Sequence, residues 1–130
     1  MSKGEEKARV LIVEDEMIQM LLLKRFYETL HCEVVGTATS AEEAIKIAME
    51  QKPEIISMDI FLEGEKDGIQ ATEEICMEEK IPVIYITGNS DDFHYQRALK
   101  TGFTAYLSKP VSLDELHSAV EKAVQSHSAT

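Results

Sequence analysis

The sequence predicts an α/β fold, a five-stranded parallel sheet with helices on both faces, and three observations carry that prediction. Short β-rich apolar runs alternate with longer stretches of helical periodicity. The interiors of the strand candidates read as continuous apolar stretches rather than alternating, as expected when both faces of a sheet are covered. Helix-start signals occupy the gaps between them. A chain of 130 residues suffices for one domain, which buries roughly two-thirds of its unfolded surface.

The elements follow in order. Residues 9–13 form the first expected strand, and a helix over about 16–30 follows it. The second strand, 33–38, leads into Ser40, whose spacing to Glu43 is a capping box. The third, 54–58, precedes a helix that opens after Asp67-Gly68. The fourth, 82–86, precedes a helix holding Phe93, Arg97 and Ala98, with Ser90 as the expected cap. The fifth, 103–107, leads into Ser112 and Glu115, a second capping box. Beyond it Leu113, Leu116, Val120 and Ala123 fall on one helical stripe. The expected organisation is a flexible segment over 1–7, one domain over 8–124 and a tail over 125–130. It has no internal repeat and leaves no room for an output domain.

Composition excludes several functions. No apolar run approaches the roughly 20 residues that span a bilayer, so membrane insertion is not expected. The polar, charged start from Met1 to Lys7 does not read as a signal peptide, which points to a cytoplasmic location. A net charge of −11 opposes direct binding to a phosphate backbone. Cys32 and Cys76 form no C-x-x-C pair and read as reduced, mostly buried thiols. The four histidines, His31, His94, His117 and His127, are scattered and suggest no common site.

Chemistry gathers at the strand ends, where open parallel sheets bind ligands. The first strand runs into Glu14-Asp15-Glu16, the third into Asp59, the fourth into Thr87-Gly88 and the fifth into Ser108-Lys109-Pro110. The second ends in Ala38-Thr39-Ser40, with nothing charged. In a flavodoxin-like order, 2-1-3-4-5, strands one and three are neighbours and their acids converge. Two carboxylates about 4 Å apart repel by roughly 4 kcal/mol at an effective dielectric near 20. Such a cluster needs a cation, and an all-oxygen donor set with room for water suits Mg²⁺. Lys109 adds a mobile positive charge and Thr87 a hydroxyl donor, which together make sense as a phosphoryl-transfer site. Singly, each piece has a plainer meaning: Asp15 as a helix cap, Lys109-Pro110 as a turn, Thr87-Gly88 as a strand end. Four strand ends each carrying the right chemical type are much harder to obtain by accident.

Those pieces resemble the receiver domain of two-component response regulators. The likeness covers about residues 8–124 and rests on Val10-Leu11-Ile12-Val13-Glu14-Asp15-Glu16, Ile56-Ser57-Met58-Asp59, Asp67-Gly68, Ile84-Tyr85-Ile86-Thr87-Gly88 and Tyr106-Leu107-Ser108-Lys109-Pro110. The resemblance implies that Asp59 is the phosphoacceptor in a phosphorelay. Glu14, Asp15 and Asp59, with the backbone carbonyl of Phe61, would hold Mg²⁺. Thr87 and Lys109 would contact the phosphoryl oxygens, Tyr106 would turn inward with Thr87, and the peptide bond before Pro110 would be cis. Implied donors are a histidine kinase, a histidine phosphotransfer protein or a small phosphodonor such as acetyl phosphate. The output is a change of shape that controls a downstream effector protein, with homodimerisation through helix four, strand five and helix five a further possibility.

Three features depart from the commonest family pattern. The loop over 60–66 is one residue longer and has Glu63-Gly64 in place of a proline; Gly88 stands where alanine is more frequent; Glu14 replaces an aspartate. An aspartyl-phosphate hydrolase of the haloacid dehalogenase type needs a second Asp two residues after its nucleophile, and Phe61 stands there. Turnover of outside substrates is therefore not expected. Nucleotide hydrolysis on a P-loop lacks its Gly-Lys-Ser/Thr loop. A receiver that binds partners without phosphorylation is disfavoured by the intact Asp59, Thr87 and Lys109.

The first helix is apolar almost all around in Met17-Ile18-Gln19-Met20-Leu21-Leu22-Leu23, more than one buried stripe requires. With Leu22, Phe26 and Leu30 taken as that stripe, and Gln19 and Leu23 beside it, Met17, Met20 and Leu21 are left for the outer face. Flexible methionines there suit docking of a phosphodonor protein.

Overall fold

A computed structural model describes residues 7–89 and 91–128. Five βα units follow one another: β1 (Ala8–Val13), α1 (Met17–Thr29), β2 (Cys32–Ala38), α2 (Ala41–Gln51), β3 (Ile55–Met58), α3 (Gly68–Glu78), β4 (Val83–Thr87), α4 (Asp92–Leu99), β5 (Ala105–Ser108) and α5 (Leu113–Ser128). The strands form one parallel sheet in the order β2-β1-β3-β4-β5.

The apolar strands work as two-sided wedges. In β1, Leu11 and Val13 face a core closed by Ala41, Ala44 and Ala48 of α2 and by Ile69, Ala71 and Ile75 of α3. Val10 and Ile12 face the opposite core, with Met20, Leu23 and Tyr27 of α1 and Leu116, Val120 and Ala123 of α5. Alternate side chains of one extended strand point to opposite faces, so both layers are anchored on the same residues.

Helix starts show why the chain changes direction where it does. Ser40 Oγ accepts the Glu43 N–H at 3.2 Å, and Ser112 Oγ accepts the Glu115 N–H at 3.1 Å. Asp67 and Gln70 form a reciprocal capping box at α3. At α4 the cap is Asp91, which accepts the His94 N–H at 2.8 Å. Ser90, the expected cap, lies outside the described residues, as do residues 1–6 of the leading segment. The last helix runs to Ser128, past the boundary expected at 124.

The phase of α1 differs from expectation. Its buried residues are Met20, Leu23 and Tyr27, whereas Leu22 is exposed and Phe26 and Leu30 are only partly covered. Met20 is therefore a core residue. The outer apolar face is Met17, Ile18 and Leu21, of which Ile18 is the most exposed at 79%. A helix apolar on every side leaves its rotation undetermined, and here the fully buried Tyr27 ring fixes it.

Candidate functional site

Register brings the acids together. Val13 pairs with Met58 across β1 and β3, and the next residues leave the sheet side by side. The Glu14 N–H donates to the Ala38 carbonyl at 2.9 Å and the Asp59 N–H to the Val13 carbonyl at 3.0 Å. One oxygen from each of Glu14, Asp15 and Asp59 lies within 4.8 Å of the others. Lys109 follows β5, with its N–H donated to the Thr87 carbonyl at 2.9 Å, and the Lys109-Pro110 bond is cis. Its Nζ stands 3.0 Å from Asp59 Oδ2 and 2.7 Å from Glu14 Oε1. The Asp59 contact is a directed hydrogen bond. The Glu14 contact is a short ion pair to a fully buried carboxylate.

The cleft over these groups has a volume of about 380 Å³ and is lined by Asp15, Glu16, Asp59, Phe61, Gly88, Asn89 and Lys109. A water molecule's share of liquid volume is about 30 Å³, so a hydrated cation and a phosphoryl group both fit. Asp59 is 6% exposed. Its Oδ1 accepts the Phe61 N–H at 3.3 Å, while Oδ2 faces Lys109.

Burial dominates the electrostatics. It raises the pKa of Asp59, and the nearby Lys109 only partly reverses the effect. Glu14 is raised by burial too, its pairing with Lys109 being opposed by the charge of Asp59. For Lys109 burial acts downward, but Glu14 and Asp59 outweigh it and the net shift is upward. Three carboxylates thus share one ammonium, and the ionised cluster carries uncompensated negative charge. Three carboxylates with oxygens within 4.8 Å of one another, sharing a single ammonium, form a donor set that fits a hard divalent cation.

Thr87 is fully buried, and its hydroxyl makes only long contacts of 3.4 Å with the Asn89 backbone. It does not line the cleft in this conformation. Tyr106 sits in an aromatic cluster, its ring 5.0 Å from Tyr95, 5.6 Å from Phe103 and 6.0 Å from Tyr85. Its buried hydroxyl has no partner. Of the expected docking residues, Met17 and Leu21 are exposed, and Met20 is buried.

Three features of the site were not read from the sequence. Gly68 seats directly on the phosphoacceptor loop: its N–H donates to the Ile60 carbonyl at 2.8 Å, and a Cβ there would collide with the Asp59 carbonyl oxygen. Asp67, the α3 cap, also takes a two-pronged ion pair from Arg97 of α4, at 2.7 and 3.2 Å. His94 packs against Phe61 with ring centroids 4.7 Å apart, so one of the scattered histidines does reach the site. Asp67-Gly68 was visible as a motif; the contacts of Arg97 and His94 depend on how α4 meets the segment between β3 and α3 and leave no local pattern.

Residues 10–121 match the family model described as the response regulator receiver domain. The transcriptional regulatory protein PdtaR of Mycobacterium tuberculosis is 36% identical over 116 residues, covering 89% of this chain and 56% of that protein. LiaR of Bacillus subtilis is 35% identical over 117 residues, covering 88% of this chain and 55% of its own length. The chain thus spans about half the length of these curated relatives. Among solved structures, the signal receiver domain of a modulated diguanylate cyclase from Desulfovibrio desulfuricans G20 superposes with a TM-score of 0.90 and 33% identity, covering 95% of this chain and 98% of that one. A LuxR-family response regulator from Aurantimonas sp. SI85-9A1 gives 0.85 and 28%, covering 93% and 87%. With its sheet order, its converging strand-end acids and these likenesses, the chain belongs to the receiver domain family of two-component response regulators.

Proposed function

We propose that this chain accepts a phosphoryl group on Asp59 and relays its presence by a change of conformation. The observation that carries the reading is Lys109 Nζ held between Asp59 and Glu14 at the ends of three separate strands. In the transfer, an Asp59 carboxylate oxygen bonds to the donor's phosphorus while the phosphorus bond to the donor's imidazole nitrogen or acyl oxygen breaks. Asp15, Asp59 and the Phe61 carbonyl, supported by Glu14, would hold Mg²⁺. The ion, when bound, supplies positive charge to the transferring oxygens. Lys109 stabilises the same charge from the β5 side, and Thr87 donates its hydroxyl after turning from Asn89. Tyr106 then fills the space that Thr87 and its loop leave.

Donor proteins, a histidine kinase or a histidine phosphotransfer protein, are proposed to dock on Met17, Ile18 and Leu21, beside the acidic cluster. An effector, or a second copy of the chain, would read the face of α4, β5 and α5. Phe61 at the position where a hydrolase needs a second acid makes the chain a self-modifying switch, not a turnover enzyme. Among the described residues no helix is long and apolar enough to cross a membrane.

Acetyl phosphate with Mg²⁺ is expected to add one phosphoryl group, seen by intact-mass spectrometry. Asp59→Asn, or removal of Mg²⁺, abolishes the adduct. A stable adduct on the Asn variant refutes the assignment.

A further inference from the structure

Phe61 is tied to the phosphoacceptor at one end and to α4 at the other. Its N–H donates to Asp59 Oδ1, and the residue lines the cleft while its ring meets the His94 ring at an interplanar angle of 61°. Phe61 is 38% exposed, and the His94 ring packs against its own at 4.7 Å between centroids. His94 is itself fixed. Its Nδ1 lies 2.8 Å from both carboxylate oxygens of Asp91, which only accept while ionised, so Nδ1 donates. The backbone N–H of the same residue bonds Asp91 Oδ1 at 2.8 Å. The Phe93 ring closes on the imidazole at 5.2 Å. His94 does not line the cleft.

We propose that His94 is a positioning residue for the phosphoryl chemistry: braced by Asp91, its ring holds Phe61 over the mouth of the cleft and limits the approach of water to phosphorylated Asp59. The inference rests on the reading of Asp59 as phosphoacceptor and deepens it. Hydrolysis joins a water oxygen to phosphorus, breaks the bond from phosphorus to the Asp59 oxygen, and leaves the Asp59 carboxylate and dihydrogen phosphate. The attacking water enters opposite the leaving carboxylate oxygen, from the open side of the cleft. Offset and edge-to-face aromatic pairs have preferred geometries, so an imidazole ring beside Phe61 restricts where that ring settles. Without it, Phe61 swings outward and the path of the water opens.

The test uses the full chain. His94→Gln keeps a partner for Asp91 but removes the ring; His94→Phe keeps the ring and loses the Asp91 bond. After loading with acetyl phosphate and Mg²⁺ and removal of the donor, mass spectrometry follows loss of the phosphoryl group. His94→Gln and Phe61→Ala should each shorten its lifetime about fivefold, a barrier lower by about 1 kcal/mol. His94→Phe should stay within about twofold of the parent, less than 0.5 kcal/mol by the same conversion. The Phe61→Ala, His94→Gln double variant should be no faster than either single one, because both act through one ring. In the unphosphorylated, metal-free protein, His94→Gln should also shift the Phe61 ring proton resonances, which His94 otherwise shields. An unchanged lifetime in His94→Gln, multiplying effects in the double variant, or Phe61 resonances unmoved by His94→Gln overturns the proposal. If the parent takes up no phosphoryl group, the phosphoacceptor reading falls first, and this inference with it.

Discussion

Replacing Asp59 with asparagine is expected to stabilise the metal-free protein, although it removes an ion pair. Lys109 Nζ is 3.0 Å from Asp59 Oδ2, an attraction of about 5.5 kcal/mol at an effective dielectric near 20. Against it stand two carboxylates, Glu14 and Asp15, with oxygens within 4.8 Å. At that distance each repels an ionised Asp59 by about 3.5 kcal/mol. The repulsions together exceed the attraction, and burying a carboxylate that is 6% exposed adds a further penalty. The upward pKa shift of Asp59 has the same sign, since its surroundings disfavour the ionised form. Glu14 is likewise disfavoured in its ionised form by burial, which softens the repulsion, so the net gain is set at about 1 kcal/mol. An asparagine oxygen still accepts from Phe61 or Lys109, which leaves charge as the main difference.

The chain contains no tryptophan, so thermal unfolding is followed by circular dichroism or calorimetry. In a chelator, Asp59→Asn should melt about 3–5 °C above the parent. Mg²⁺ at ten times its dissociation constant should then stabilise the parent by about 1.4 kcal/mol and the variant by much less. A variant that melts at or below the parent without metal, or responds equally to Mg²⁺, would show that the acids are not crowded as described.

Further outcomes test the outlying parts of the structure. Beryllofluoride with Mg²⁺ should shift the resonances of Phe93, Arg97, Lys100 and Tyr106; changes confined to the loops carrying Asp15 and Asp59 would refute the switch. Arg97→Gln should cost about 1 kcal/mol by breaking a half-buried pair with Asp67. Burial pushes the Asp67 pKa up, but the Arg97 and Gln70 bonds more than reverse it, and the net shift is downward. The pair's contribution is therefore complete above the ordinary carboxylate pKa of about 4 and lost as pH falls through the lower folded value. Chemical unfolding of both proteins between pH 7 and 2.5 checks this, and a difference that fails to shrink in acid contradicts it. Met17→Glu or Leu21→Glu should slow phosphotransfer from the cognate kinase while acetyl phosphate labelling stays nearly unchanged. Met20→Glu, which places a charge in the core, should destabilise the protein and reduce both. Equal losses from both donors in Met17→Glu would mean that this face supports the fold instead.

What was legible in the sequence was what one local pattern determines. The strands are apolar on both faces, so 9–13 and 54–58 could be read as buried, and parallel pairing of β1 with β3 follows from the order expected of such a chain. The acids after those strands then had to meet. The rotation of α1 was not legible, because apolar residues at 17, 18 and 20–23 support more than one stripe; Tyr27, fully buried, decides between them. At α4 the cap is Asp91, whose carboxylate accepts the His94 N–H. His94 looked isolated because its partner, Phe61, comes from another loop.

These late contacts bear on which element can move. α4 has eight residues, of which Ala98 is the one buried. An element with so little apolar burial lies at the low end of local stability, and side-chain links hold much of its position. Three run to neighbours of the phosphoacceptor machinery: His94 to Phe61, Arg97 to Asp67, and Tyr95 to Tyr106. Phe61 bonds Asp59 through its backbone, and Asp67 precedes the glycine that rests on the Asp59 carbonyl. These contacts give a change at the Asp59 carboxylate a route to α4 through the loop after β3, beside the one proposed through Thr87 and Tyr106. Shifting α4 disturbs one fully buried side chain, Ala98, of the core it shares with α2 and α3, and otherwise exchanges polar and aromatic contacts. On the proposed reading of Asp59 as phosphoacceptor, that asymmetry makes α4, rather than the better-buried helices, the element whose position a phosphoryl group can set.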